Sequence, residues 1–366
     1  MNPYKPYKFK NGVIMRNHFA LAPMTTYSSN DDLTLSEEEE NYYYLRSKNL
    51  GMIITAAAAV SKNAQAFDHQ ISVRDERYSD SMKRLRKAIK KGGALSVLQI
   101  HHGGRMNVPD MYPNQDIVAP SSVKANRDYA ATPRALKTSE VYDAIDDFIN
   151  AAKLAMKVGF DGVEIHGANT YLLQQFFSPH SNQRDDEFGG NLQKRMLFAK
   201  LIVEGILHAK KEANKPNFLV GYRFSPEELE DPGIAIDDTL ELVDVLADYP
   251  LDYLHVSLGK YNQTSSRNKN DKEKIATKLL RVINQRIPLM GVGGITTKEE
   301  VEDASNLGYD LLSLGMVALA DPDVVLKFQL KERPSNVFSR KLLPRPLFER
   351  LHRYGSRLEG YHFEDE

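Results

Sequence analysis

The sequence contains no cysteine. That absence removes disulfides, thiolate zinc sites, iron–sulfur clusters and cysteine nucleophiles from the available chemistries. An excess of charge of one sign is missing too. Forty-eight Lys and Arg stand against 49 Asp and Glu, a net charge of −1, so nothing in the balance points to nucleic acid or another polyanion as a partner. The basic stretch KRLRKAIKK, Lys83–Lys91, is interleaved with Leu85, Ala88 and Ile89 and reads as an exposed helix face. Long apolar runs are also lacking. None approaches the roughly 20 residues that span a bilayer, and MNPYKPYKFKNGV at the amino terminus has no apolar h-region, so a cytoplasmic protein with no membrane partner is expected. No G-x-G-x-x-G follows an apolar run, which argues against a separate dinucleotide-binding domain.

What is present is a globular composition of 366 residues, 42% of them apolar, enough for a sizeable core. Eight short apolar runs recur along it: HFALAPM from His18, GMIITAA from Gly51, ALSVLQIHH from Ala94, DGVEIHG from Asp161, FLVGYRFS from Phe218, LDYLHVSL from Leu251, IPLMGVGG from Ile287 and YDLLSLGM from Tyr309. Near-continuous apolarity suits strands covered on both faces. Helical periods lie between most of them, near 36–49, 190–213, 237–247, 272–285, 297–307 and 322–332. In the helix from Ser139, the expected N-cap, Val141, Ile145, Phe148, Ala152 and Ala155 form one stripe and Gly159 ends it. Strands alternating with helices imply parallel pairing, and eight such units predict an α/β fold of the (β/α)8 TIM-barrel type, a single domain with long loops at 103–138 and 168–190 on its C-terminal face. A doubly wound open sheet is the alternative.

Several strand ends turn polar, and catalytic groups of barrels sit at such ends. The first gives PMTTYSS, Pro23–Ser29; the third gives Gln99, His101 and His102; the fourth gives His166, Asn169 and Tyr171; the fifth gives Arg223. Strands seven and eight end in Gly293, Gly294 and Gly315, where bare backbone N–H groups can approach a phosphate.

APMTTYSS, LQIHHGGR, DGVEIHGANTYLLQQFFSPHSNQRDDEFGG and VGYRFSP resemble the corresponding motifs of the Old Yellow Enzyme family of FMN-dependent NAD(P)H oxidoreductases, a likeness spanning roughly residues 5–330. The resemblance implies bound FMN and NADH or NADPH as reductant, with a small-molecule substrate. Position by position, it implies Pro23, Met24 and Thr25 along the isoalloxazine edge, with Thr25 bonding the carbonyl near N5. Ala57 packs on the ring, Gln99 bonds the pyrimidine edge, and Arg223 stands by N1 and O2, where a fixed guanidinium stabilises the negative charge of reduction. His166 and Asn169 become paired donors to a substrate carbonyl, and Tyr171 the proton donor to Cα as hydride from flavin N5 reaches Cβ. Both reactants use the same flavin face in turn, so ping-pong kinetics are expected. Tyr27 matches a substrate-facing tyrosine of one branch.

His101, His102 and Arg105 are expected to border the flavin or the mouth, and no metal site is expected. The acidic segment SNQRDDEFGG reads as structural, with Arg184 paired to Asp185. Family members usually carry Gly-Arg after strand eight, the arginine binding the FMN phosphate; here Met316 takes its place, with Arg267 and Lys269 as candidate compensating cations. The chain is divided into an FMN-binding barrel, 1–335, and a tail, 336–366. In the tail, LPRPLFERLHRYGSR holds arginines for reaching a neighbouring subunit, which leaves a homo-oligomer open. Two rival functions stand beside the flavin enzyme. A flavin-free barrel acting on a phosphorylated small molecule has only Lys260 as a core lysine candidate. A passive flavin-binding protein has no need of a carbonyl clamp.

Overall fold

The computed structural model describes residues 2–109, 116–355 and 358–364. Eight strands form its centre: β1 (Phe19–Leu21), β2 (Met52–Ile54), β3 (Leu95–His101), β4 (Gly162–Gly167), β5 (Leu219–Phe224), β6 (Tyr253–Val256), β7 (Leu289–Val292) and β8 (Leu311–Leu314). Each pairs in parallel with the next, and β8 returns to β1 through Leu312 against Phe19, so the sheet closes. Closure settles the choice between barrel and open sheet in favour of the (β/α)8 TIM barrel. All eight expected strands are found, each shorter than its apolar run.

A barrel helix follows each strand, with short extra helices after β4 and β8: α1 (Glu37–Ser47), α2 (Ser79–Gly92), α3 (Thr138–Val158), α4 (Leu197–Glu212), α5 (Ile236–Ala247), α6 (Ile275–Ile283), α7 (Lys298–Leu307) and α8 (Val324–Leu330). The basic stretch lies on α2, with Met82, Leu85, Ala88 and Ile89 buried and Lys83, Lys87 and Lys91 exposed. In α3 the apolar stripe is buried, and Gly159, at φ 90°, supplies the left-handed cap that a side chain would strain. The expected Ser139 N-cap is incorrect. Lys137 is the N-cap, and its backbone N–H donates to Glu140 Oε2 at 2.7 Å, so the helix entry is held by the reach-back of a glutamate rather than by a serine cap.

The lower half of the barrel is apolar. Met52, Val97, Leu219, Met290 and Leu311 fill it, and a hairpin pairing Tyr7–Lys8 with Ile14–Met15 brings Phe9 and Met15 beneath them as a floor. Above that floor the inward side chains become polar, and the mouth lies at the C-terminal ends of the strands.

Candidate active site at the barrel mouth

Inward positions alternate along a strand. On β4 this directs Glu164 and His166 into the barrel while Val163 and Ile165 pack outward. The chain then turns through Asn169 (φ 57°) and Thr170 (φ 70°). Two successive left-handed residues, one β-branched, are costly, by about 1–3 kcal/mol for such a conformation. Neighbours hold them: Asn169 N–H donates to Ser225 Oγ at 2.8 Å, Thr170 N–H to Gln174 Oε1 at 2.9 Å, and Gln175 Nε2 to the Thr170 carbonyl at 2.7 Å. The tight turn folds Tyr171 back over the strand end it has just left. Its ring lies 5.1 Å from that of His166, 4.5 Å from His101 and 5.7 Å from Phe67, centroid to centroid.

Burial, reinforced by His101 and Arg223, drives the His166 pKa well below its ordinary value, so the ring is a neutral imidazole. Its Nδ1 is buried and has no partner among the described residues. Burial also raises the Tyr171 phenol, which stays protonated through neutral pH. Asn169 is exposed, and its Oδ1 accepts from Ser257 Oγ at 2.9 Å, which leaves the amide N–H groups to face outward. Ser257 in turn accepts from Arg223 Nη2 at 3.1 Å. Arg223 is buried, its Nε has no partner among the described residues, and it connects through one hydroxyl to the Asn169 amide. Gln99, also buried, donates through Nε2 to Glu164 Oε1 at 2.8 Å, so its own oxygen is free to accept from another group.

The loop after β1 is pinned from outside. Glu39, buried inside the α1 capping box, accepts from Thr26 Oγ1 at 2.5 Å and Ser29 Oγ at 2.9 Å. Pro23, Met24 and Thr25 are thereby held half-buried on the rim, and Tyr27, at φ 56°, stands beside Phe67 with ring centroids 6.0 Å apart. Ala57 lies buried nearby, its carbonyl accepting from Gln70 Nε2. Arg350 arrives from the C-terminal helix α9 (Arg345–Arg353) and places its Cζ 4.0 Å from the centre of the Tyr27 ring in the same chain. His101 accepts from Gln70 at Nδ1 and joins the aromatic cluster. His102 accepts from Gly104 N–H, and burial lowers its pKa to about 3.

At the far side of the mouth, Gly293 (φ 111°) and Gly294 (φ 66°) follow β7. A Cβ on Gly293 would sit 2.6 Å from the Leu258 carbonyl oxygen, so only glycine fits. Among the described residues the N–H groups of Gly293, Gly294, Gly315 and Met316 have no acceptor. They form a bare cradle, as a phosphate requires. Met316 opens a short helix there, and the Lys260 side chain approaches the Gly294 position. Arg267 does not face this cradle as a free cation: it donates to the Glu228 and Glu230 carbonyls and lies 3.7 Å from Asp231. Lys269 is exposed on the same loop. A cradle of unpaired N–H groups, an orphaned Arg223 nitrogen and an acceptor left open on Gln99 fit an FMN phosphate and pyrimidine edge.

One expected pair is corrected. Arg184 bonds Asp186, not Asp185, with Nη2 2.5 Å from Oδ2, because the turn points Asp186 inward, where Thr138 Oγ1 and Phe188 N–H also reach it. The sequence reading missed Glu39, Phe67, Ser257, Glu164 and His255. Ser257 was within sight, two residues past His255 at the end of an expected strand. The others depend on which strands and loops meet.

This arrangement defines a class: a (β/α)8 barrel whose mouth gathers polar and aromatic side chains at the ends of its strands. Solved structures agree on the fold. Morphinone reductase superposes with a TM-score of 0.78 at 23% identity over 91% of each chain. The old yellow enzyme homologue of Zymomonas mobilis superposes with a TM-score of 0.77 at 23% identity, covering 92% of this chain and 94% of its own. The chain belongs to the NADH:flavin oxidoreductase / NADH oxidase family, whose sequence model matches residues 3–336. It is 42% identical over 332 residues to the probable NADH-dependent flavin oxidoreductase YqiG of Bacillus subtilis, covering 89% of both. It is also 39% identical to the NADH:acrylate oxidoreductase of Vibrio harveyi, over 86% of this chain but 32% of that longer protein. The protein is therefore an FMN-dependent oxidoreductase of the old yellow enzyme type that draws on NADH or NADPH. Among the described residues no helix is long and apolar enough to cross a membrane.

Proposed function

We propose that the mouth reduces activated alkenes, α,β-unsaturated carbonyl compounds, in alternation with oxidation of the nicotinamide. Bound FMN supplies the hydride, taken from NADH or NADPH and delivered to the alkene. The protein's own groups do the rest. The neutral His166 imidazole and the Asn169 amide, its oxygen occupied by Ser257, donate to the carbonyl oxygen of the acceptor. Charge accumulates on that oxygen only as the reaction proceeds, so oriented donors act mainly on the transition state. Tyr171 holds the proton for Cα. Arg223 and Gln99 address the pyrimidine edge, Pro23, Met24, Thr25 and Ala57 flank the ring, and Tyr27 faces the acceptor. Gly293, Gly294, Gly315 and Met316 would hold the FMN phosphate, and Lys260 would supply the positive charge that Met316 lacks.

One observation carries this reading. A neutral buried imidazole, an amide with its oxygen already bonded and a protonated phenol meet at a single strand end. A passive flavin binder has no use for that set. The test is an anaerobic titration. NADH or NADPH bleaches the flavin absorbance, and cyclohexenone then restores it without oxygen; acrylate and fumarate are tried beside it because of the names of longer relatives. Recovery only on admitting air would refute alkene reduction.

A further inference from the structure

Beneath each mouth residue lies a second inward-facing layer, two positions earlier on the same strand. Gln99 lies under His101, Glu164 under His166, Gly221 under Arg223 and His255 under Ser257. Glu164 is its centre. It is fully buried, accepting from Gln99 Nε2 at 2.8 Å on Oε1 and from His255 Nδ1 at 2.9 Å on Oε2. Gly221 leaves room on β5, and the Tyr253 ring fills it; a Cβ there would lie 2.2 Å from Tyr253 Cζ. No step of the proposed reaction uses this carboxylate, yet a buried carboxylate is costly unless its partners hold it.

We propose that Glu164 is a positioning residue for the flavin, which turns the Gln99 amide and sets the net charge that Arg223 presents to the pyrimidine edge. The inference rests on FMN occupying this mouth. A carboxylate only accepts, so Gln99 must offer it the NH2 group and keep its oxygen for another donor. The imide N–H of a flavin needs such an acceptor. His255 fixes the other carboxylate oxygen: burial lowers its pKa against the pull of Glu164, so it stands as a neutral ring donating from Nδ1, with Nε2 unpartnered among the described residues. Burial opposes ionisation of Glu164, but the hydrogen bond from the neutral His255 ring, the Arg223 charge and the Gln99 amide keep its pKa below the usual value. A negative charge therefore sits under the guanidinium and moderates its effect on reduced flavin.

The experiment measures FMN midpoint potential and apoprotein affinity for FMN in wild type, Glu164→Gln, Glu164→Asp and Arg223→Gln. Glu164→Gln removes the charge and shifts the equilibrium toward reduced flavin at least tenfold, about 30 mV for a two-electron couple. Glu164→Asp keeps the charge but retreats from Gln99, so the potential holds while FMN binding weakens about tenfold. Arg223→Gln moves the potential in the opposite direction. A wild-type potential in Glu164→Gln overturns the proposal. If that variant does not fold, unchanged FMN affinity in Glu164→Asp overturns it. An Arg223→Gln potential equal to wild type would instead dislodge the flavin from this mouth, and the proposal with it.

Discussion

Replacing Tyr171 by Phe isolates one atom. Among the described residues the phenol oxygen has no hydrogen-bond partner, and the ring contacts to His101, His166 and Phe67 survive in phenylalanine. Loss of stability is therefore expected to stay within about 0.5 kcal/mol, as for substitutions that break no internal contact. What disappears is the proton. General acid catalysis contributes roughly 10²–10⁴-fold, about 2.7–5.5 kcal/mol of barrier. Anaerobic stopped-flow separates the halves of the cycle. Flavin reduction by NADH or NADPH should keep its rate within about twofold, while reoxidation by cyclohexenone slows by at least ~10²-fold. Because burial raises the phenol above its ordinary value of 10.0, the wild-type reoxidation rate should show no loss from tyrosine ionisation between pH 6 and 9. Equal slowing of both halves would refute the proton-donor role.

Other expectations follow from the same geometry. His166→Ala should abolish the charge-transfer band that phenols give at the flavin, and an unchanged band removes His166 from the carbonyl clamp. Ser257→Ala breaks the bonds to Arg223 and Asn169, and phenol affinity should fall about 5–30-fold, at roughly 1–2 kcal/mol for two bonds; wild-type affinity would show that Asn169 is oriented by something else. Met316→Arg restores a charge-assisted bond and should tighten FMN binding by about 1.5–3 kcal/mol, while Lys260→Ala should loosen it; no change in fluorescence titration of either variant would place the phosphate elsewhere. The Arg184 guanidinium lowers Asp186 from 3.8 to about 2, so its contribution is complete above pH 4 and is lost as pH falls toward 2. Asp186→Asn should therefore cost about 2 kcal/mol at pH 7 by urea denaturation, and Asp185→Asn almost nothing; equal losses would undo the corrected pairing.

The barrel could be read from the sequence because strands buried on both faces leave runs that few other structures need. Val163 and Ile165 had to face helices, and His166 had to face inward, once the period of two was granted. The six-residue span of His166, Asn169 and Tyr171 was also legible, since one turn brings them together. Contacts set by register between distant strands were not. That Gln99 meets Glu164 on the neighbouring strand, and Glu164 meets His255 past β5, follows from the register between strands rather than from any local pattern. Local competition misled in two places. Ser139 is a good cap by type, but the Glu140 carboxylate claims the Lys137 N–H one turn earlier. Asp185 and Asp186 are equivalent as letters, and only the turn decides which one faces Arg184. Arg350 was among several arginines of the tail, and its register over Tyr27 needed the packed helix.

The hairpin that stoppers the base has a kinetic corollary. With Phe9 and Met15 packed under the strands, the described residues close the base of the barrel, so on the proposed reading the nicotinamide and its successor both enter at the mouth. Each will linger there at high concentration and keep the other waiting, so turnover should decline when either is supplied in large excess.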